Sequence, residues 1–223
     1  MSPAEFIPIA ENSGLLPVLG EWVLDQAMRD AKRWPDLEVA VNLSPAQFRH
    51  VDLSPTLREL VAKHGVNPSR FVLEITESVL LEATNHTISI LDSIRAMGFK
   101  TALDDFGTRY SSLGYLCNFK FDKIKVDRSF VSRMSEDDTT KTIVQSVVRL
   151  GRALGMEIVA EGVENELEAT MMTDFGCTEL QGFYFSKAIP AGRISKLLST
   201  FQSERFAGAP QSLRIVRPHG AAG

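Results

Sequence analysis

The chain has 223 residues, of which 44% are hydrophobic, 23% charged and 8% aromatic, so a wholly disordered, collagen-like or coiled-coil protein is excluded. The formal net charge of -4, from 24 basic and 28 acidic residues, gives no electrostatic basis for non-specific DNA binding. No apolar run approaches the roughly 20 residues that cross a bilayer, and the start does not resemble a signal peptide. Two cysteines, Cys117 and Cys177, are too few for a disulfide framework and favour a reducing, cytoplasmic location.

Two helices are predicted at the beginning of the chain. Ser2, Pro3 and Glu5 have the spacing of a helix N-terminus, with a cap, a first-turn proline and a capping-box acid. A second helix is predicted from Leu16 to Trp34, because apolar residues such as Trp22 and Ala31 recur at helical spacing.

From there, short β-branched runs alternate with amphipathic stretches that have helical periodicity. The glycines before several of these runs are predicted to stop helices in the left-handed conformation; they are Gly65, Gly98, Gly155 and Gly176. The predicted strands are Glu38–Leu43, Phe71–Thr76, Lys100–Asp104, Lys123–Val126, Glu157–Ala160 and Thr178–Gln181.

This alternation predicts an α/β fold with a parallel sheet, open or closed into a barrel, and with its helices outside. We expect one domain over residues 1–202 and a disordered tail over 203–223, which is rich in small, polar, proline and glycine residues. Within that tail, Leu213–Val216 is a candidate for pairing with an open sheet edge.

Polar residues fall at or near the carboxyl ends of the predicted strands, and these ends share one rim in a parallel barrel. The set comprises Asn42, Glu74, Asp104, Asp105, Lys125, Asp127, Glu161 and Gln181. Four of these carboxylates, those of Glu74, Asp104, Asp105 and Glu161, would cluster and need a counter-charge, and Mg²⁺ or Mn²⁺ suits oxygen donors. The adjacent Asp104 and Asp105 suit a site with two divalent ions, which is typical of phosphoryl displacement.

Each residue also has a simpler interpretation. An acid after a strand often caps the next helix, and Lys125 can be a surface lysine or the Schiff-base residue of an aldolase-like barrel enzyme. Clustered carboxylates argue against the aldolase-like interpretation because they keep a lysine charged. The histidines lack the spacing of zinc ligands; they are His50, His64, His86 and His219.

The motifs together resemble the EAL-domain family, over Ser2 to about Leu198. They are Ser2-Pro-Ala-Glu-Phe-Ile-Pro-Ile-Ala-Glu, Val41-Asn-Leu-Ser, Leu73-Glu-Ile-Thr-Glu, Asp104-Asp-Phe-Gly-Thr, Lys123-Ile-Lys-Val-Asp-Arg-Ser-Phe, Ala160-Glu-Gly-Val-Glu and Gln181-Gly. The resemblance implies a TIM-like barrel that hydrolyses cyclic di-GMP to the linear dinucleotide with Mg²⁺ or Mn²⁺.

The resemblance also implies roles for individual residues. Lys125 would orient the attacking water, Gln181 would contact substrate, and Glu77 would anchor the loop after Asp105. Asp127 is expected to support the site indirectly, next to the residues that would bind the ions and without binding the ions itself. The implied metal ligands are Asn42, Glu74, Asp104, Asp105 and Glu161, of which Glu161 is also a candidate base.

Two features depart from the family pattern. The Glu-Ala-Leu motif is absent, and about six strands are predicted where such a barrel has eight. We therefore expect an N-terminally shortened, incomplete barrel that pairs with a second copy or with a chain supplying the missing strands. Arg109 stands where the family usually has glycine.

Loss of the upstream glutamate, a metal ligand in the family, is expected to impair hydrolysis. The alternative is a catalytically inactive module that binds cyclic di-GMP or contacts another protein.

Overall fold

The computed structural model describes residues 3–49, 52–81, 84–107, 119–203 and 214–215. These residues divide into two compact units. The first contains the described residues up to Leu103 together with 119–120, and the second contains 104–107, 121–203 and 214–215.

The first unit alternates helices with two complete strands. Its elements are α1 (Pro3–Asn12), α2 (Leu16–Ala31), β1 (Val39–Leu43), α3 (Pro45–Arg49), α4 (Leu53–His64), a 3₁₀ turn (Pro68–Arg70), β2 (Phe71–Thr76), α5 (Glu77–Leu81), α6 (Asn85–Ala96) and the beginning of β3 (Lys100–Phe106). Strands β1 and β2 are parallel, with Asn42 opposite Glu74. Five consecutive residues of β2 are buried, so the strand is covered on both faces, as is typical of parallel strands in α/β proteins.

The second unit repeats the same alternation. After the last residues of β3 come β4 (Lys123–Val126), α7 (Arg128–Val131), α8 (Asp138–Ala153), β5 (Glu157–Ala160), α9 (Glu166–Phe175), β6 (Glu179–Leu180), a 3₁₀ turn (Ala191–Arg193), α10 (Ile194–Ser203) and β7 (Arg214–Ile215). Strands β4 to β7 pair in chain order and all pairs are parallel.

Helix α8 packs closely on this sheet because of one small residue. A Cβ atom on Gly151 would lie 2.4 Å from the Ile158 side chain and 3.0 Å from that of Ile124. The buried Val144 and Val148 continue the same face of the helix. The close approach covers β4 and β5 with apolar side chains and leaves the ends of these strands to carry the polar groups.

A buried ion pair lies at the amino ends of the strands in the second unit. Nζ of Lys123 lies 2.8 Å from each carboxylate oxygen of Glu179, and both side chains are at most 3% exposed. Glu157, opposite Lys123 in the parallel register, lies 3.3 Å from the same nitrogen. The first residues of β4, β5 and β6 are therefore joined by charge.

The strand predictions are largely confirmed. The bounds of β2, β4 and β5 are the predicted ones, whereas β3 continues beyond its predicted end at Asp104 to Phe106. Helix α2 ends at Ala31, before the predicted Trp34, and Pro35 disfavours helical geometry at the residue before it. The predicted left-handed glycines have φ values of 61°, 91°, 77° and 101° at Gly65, Gly98, Gly155 and Gly176.

Several predictions fall on residues that the structure does not describe, among them those for Ser2, Arg109, Cys117 and most of the tail. Within the tail, α10 extends to Ser203 and β7 pairs with β6, opposing Arg214 to Glu179 and Ile215 to Leu180. The domain boundary at 202 stays a prediction.

Candidate functional site

Three carboxylates meet at the carboxyl ends of β3 and β5 in the second unit. Asp104 and Asp105 lie near the end of β3, and Glu161 directly follows β5. One carboxylate oxygen of each lies within 4.8 Å of the other two. The clustering predicted for these three acids is thus found in the structure.

Lys125 supplies a positive charge to two of these carboxylates. Its Nζ lies 3.0 Å from Asp104 Oδ1 and 2.5 Å from Glu161 Oε1. The lysine side chain is only 3% exposed, so these pairs are screened little by water. Because both carboxylates hold the nitrogen in ion pairs, it is not presented as the nucleophile that an aldolase-like enzyme needs.

The backbone at Asp105 is held in an unusual conformation. Its φ of 56° is the only positive value among the described non-glycine residues. The Asp105 N–H donates to Asp104 Oδ1 at 3.0 Å, which ties the two acids together. A non-glycine residue in this conformation costs about 1–2 kcal/mol, and such strain is found most often at functional sites.

Backbone hydrogen bonds set the positions of Glu161 and Gln181. Glu161 N–H donates to Val126 O at 3.0 Å, and Gln181 N–H donates to Ala160 O at 2.8 Å. Val163 N–H returns to Gln181 O at 3.0 Å. In the described residues Gln181 Oε1 is buried without a hydrogen-bond partner, so it is an acceptor available to a ligand.

Asn42 and Glu74 belong to the first unit, where they form a register pair on β1 and β2. Asn42 is exposed and Glu74 is 5% exposed. Glu77, the predicted loop anchor, is the first residue of α5 and is 3% exposed.

Asp127 performs the local role that an acid after a strand often has. Its carboxylate accepts a hydrogen bond from Ser129 N–H at 2.9 Å and caps α7. Its support of the site stays a prediction.

Two glycines beside the site, Gly162 and Gly182, are not among the predicted site residues. A Cβ on Gly162, whose φ is 65°, would lie 2.2 Å from the Arg128 side chain. A Cβ on Gly182 would lie 2.0 Å from Val163 O. Their position directly after Glu161 and Gln181 was the available signal, because glycine beside a strand-end polar residue permits close backbone approach.

The donor set fits a hard divalent cation. The carboxylates of Asp104, Asp105 and Glu161, with one oxygen of each within 4.8 Å of the others, offer oxygen ligands. Repulsion between their negative charges favours a bound cation. Cys177, by contrast, is not a ligand candidate: burial raises the pKa of its thiol to about 12, so the thiol stays protonated at neutral pH.

Comparison with known proteins shows the family to which the chain belongs. The model of the EAL domain family matches residues 1–188. MucR of Pseudomonas aeruginosa, a bifunctional diguanylate cyclase/cyclic di-GMP phosphodiesterase, is 40% identical over 199 residues, covering 87% of this chain and 29% of MucR. Five of the matched curated relatives are spanned by this chain over only 24–30% of their own lengths.

Two solved structures are also similar. The complex of PaMucR phosphodiesterase with c-di-GMP has a TM-score of 0.82 and 41% identity, covering 86% of this chain and 80% of that one. The manganese/cy-diGMP complex of Klebsiella pneumoniae BlrP1 has a TM-score of 0.71 and 33% identity, covering 77% of this chain and 44% of that one.

The chain belongs to the EAL domain family. The predicted α/β fold of the TIM-like barrel class is confirmed by its solved relatives. Among the described residues, no helix is both long and apolar enough to cross a membrane.

Proposed function

We propose that this chain is a metal-dependent phosphodiesterase module that hydrolyses cyclic di-GMP to the linear dinucleotide. The observation that carries the proposal is the cluster of Asp104, Asp105 and Glu161 with Lys125 against it, in an EAL domain. In the reaction, the oxygen of water bonds to phosphorus and one phosphate ester bond breaks. The released sugar oxygen takes up a proton.

Two Mg²⁺ or Mn²⁺ ions, when bound, would lower the pKa of the attacking water and neutralise charge on the phosphate. We propose that their ligands include the three clustered carboxylates together with Asn42 and Glu74. Glu77 would anchor the loop after Asp105, and Asp127 would support the site from the start of α7.

Lys125 and Glu161 are proposed to handle the water. The Lys125 ammonium, held between two carboxylates, has donors to orient a water molecule or a phosphate oxygen. The second oxygen of Glu161 is a candidate acceptor for a proton from that water. Gln181 Oε1 is proposed to accept a hydrogen bond from the substrate, since it has no partner among the described residues.

The test combines product analysis with one matched pair of variants. Purified chain with Mn²⁺ and cyclic di-GMP is expected to form the linear dinucleotide, detected by chromatography. Asp105→Asn is expected to lower turnover by about 100-fold or more, and Asp174→Asn, on exposed surface of α9, to leave turnover unchanged. Cyclic di-GMP binding without turnover by the folded wild type would contradict the enzyme proposal and support a binding module.

Association with another chain is also proposed, either with a second copy or with a chain that supplies further barrel strands. Apolar side chains exposed on and between the first helices support it: Ile9 is 60%, Leu15 56%, Val18 67% and Trp22 61% exposed. Light scattering is expected to give a mass above the 24.7 kDa of one chain. A cytoplasmic location is proposed from the cysteine content alone.

A further inference from the structure

The turn that follows β1 is closed by the side chain of Gln47. Gln47 Oε1 accepts a hydrogen bond from Ser44 N–H at 2.9 Å, and Ser44 Oγ accepts one from Ala46 N–H at 3.1 Å. Gln47 N–H also donates to Ser44 O at 2.9 Å. Ser44 thus caps the start of α3 through Ala46 N–H, and the Gln47 side chain reaches back to Ser44 N–H as the glutamine of a Ser-x-x-Gln capping box does.

Gln47 is also locked against a second helix. Its side chain is 4% exposed, and a Cβ on Gly20 of α2 would lie 2.4 Å from Nε2 and 2.5 Å from Cδ. Only a glycine at that position of α2 leaves room for the amide. Gln47 therefore fixes the end of β1 and the start of α3 against α2.

The surroundings of the Gln47 amide nitrogen indicate that the amide oxygen is the atom on which the turn depends. Within the described part of the chain, Gln47 Nε2 is buried without a hydrogen-bond partner. A buried unpartnered donor lowers stability, and methionine would fill similar space without that cost. The oxygen that receives the Ser44 N–H is thus the functional half of the side chain.

Asn42 lies two residues before Ser44 and faces Glu74 in the strand register. Helix α3 has five residues, too few to be stable without tertiary support. The contact between Gln47 and Ser44 therefore helps to set the direction of the chain as it leaves β1, together with the packing of α3 on α2.

We propose that Gln47 is a positioning residue for Asn42, and this inference rests on the proposed function, in which Asn42 is a cation ligand. By fixing the turn, Gln47 would hold the Asn42 amide in the orientation that binds the ion. A residue that orients a ligand in this way typically changes metal affinity 10- to 100-fold when it is replaced.

The experiment compares two substitutions of similar size. Gln47→Met removes the acceptor and is expected to weaken Mn²⁺ binding, measured by electron paramagnetic resonance of the free ion, by about tenfold or more. Gln47→Glu keeps an acceptor for Ser44 N–H and is expected to bind Mn²⁺ within about threefold of the wild type. Gln26→Met, the same change on α2 where Gln26 pairs with Asp30, is the control and should match the wild type.

Hydrogen exchange separates failure of this inference from failure of the proposed function. The Ser44 amide is expected to exchange faster in Gln47→Met than in the wild type, with no metal present, and to stay protected in Gln47→Glu. If the wild type itself binds no Mn²⁺, the proposed function fails. An unchanged Ser44 exchange rate, an unchanged Mn²⁺ affinity in Gln47→Met, or equal weakening in Gln47→Glu would overturn the positioning role.

Gly20→Ala provides a second route if Gln47→Met does not fold. Its new methyl group must displace the Gln47 amide, the end of a flexible side chain, and α2 retains a good helix former. Mn²⁺ binding is expected to weaken about tenfold here as well. Wild-type affinity in folded Gly20→Ala would likewise overturn the inference.

Discussion

Lys125 and Glu161 form an ion pair of 2.5 Å between the middle of β4 and the residue that follows β5. The lysine also lies 3.0 Å from Asp104, so one ammonium serves two carboxylates from different strands. Positive charge is thus already present where the proposed function places divalent ions. Cation binding and the position of Lys125 are therefore expected to be coupled.

Replacing Lys125 is expected to separate ion binding from turnover. Lys125→Met removes positive charge from the carboxylate cluster, so Mn²⁺ should bind at least as tightly as in the wild type. Turnover of cyclic di-GMP should nevertheless fall by about 100-fold or more, because the group proposed to orient water is lost. Titration with Mn²⁺ and product chromatography measure the two effects.

The control for this prediction is Lys120→Met, since Lys120 is exposed. It should change neither quantity. Loss of Mn²⁺ binding in folded Lys125→Met would show that the lysine supports the ion site and does not compete for its charge.

Breaking the buried pair of Lys123 and Glu179 is expected to destabilise the chain strongly. Lys123→Met leaves a carboxylate that is 1% exposed and should lower the free energy of unfolding by about 3–5 kcal/mol. The double variant Lys123→Met/Glu179→Leu should regain most of this loss, because the fully buried carboxylate is gone and that of Glu157, 38% exposed, is hydrated. Urea unfolding measures both, with Lys196→Met on α10 as the control. A double variant as unstable as the single one would contradict the explanation.

Gly182 is expected to tolerate no side chain. In Gly182→Ala the new methyl group would meet Val163 O, a backbone atom that cannot rotate away, so the loop must shift. We expect the free energy of unfolding to fall by about 1–3 kcal/mol. We also expect substrate to bind more weakly, because the shift would move the adjacent Gln181. Gly192→Ala is the matched control, since nothing lies within 4 Å of its Cβ. Equal melting temperatures for the two variants would refute the prediction.

Acid is expected to weaken the contact between α2 and α4. The hydrogen bond from Lys63, followed by that from His64, lowers the pKa of Asp25 from 3.8 to about 2. A carboxyl with a lowered folded-state pKa stabilises the fold above its unfolded pKa and loses this contribution as the pH falls toward 2. Asp25→Asn should therefore have a lower melting temperature than the wild type at pH 7. The difference between the two melting temperatures should become smaller below about pH 4.

Asp92 carries a carboxylate that is 68% exposed. The melting temperature of Asp92→Asn should therefore match that of the wild type both at pH 7 and below about pH 4. A difference between Asp25→Asn and the wild type that stays constant from pH 7 to pH 3 would rule out this titration as its source.

The strands were predictable because their signals are local. The runs at Phe71–Thr76 and Lys123–Val126 are β-branched or apolar and are bounded by turn residues, and the structure keeps both bounds. The clustering of Asp104, Asp105 and Glu161 followed from one rule, that parallel strands place their carboxyl ends on the same side.

Other features depend on distances that a sequence does not contain. The pairing of Lys123 with Glu179 joins residues 56 positions apart, and only the strand register brings them together. Asp127 shows the opposite case, since a carboxylate after a strand serves equally as a helix cap or a ligand support, and the sequence does not separate the two. The contact between Gly20 and Gln47 requires the packing of two helices to be known.

Lys123 and Lys125 are the first and third residues of β4, so their side chains leave the strand on the same side. Lys123 is paired with the buried Glu179, whereas Lys125 is paired with Asp104 and Glu161, two acids that the proposed function assigns to divalent ions. The ion pair between Lys123 and Glu179 therefore fixes the amino end of β4 whether or not ions are bound near its carboxyl end. In the proposed function, this separation would let the strand keep its position whether or not metal ions are bound.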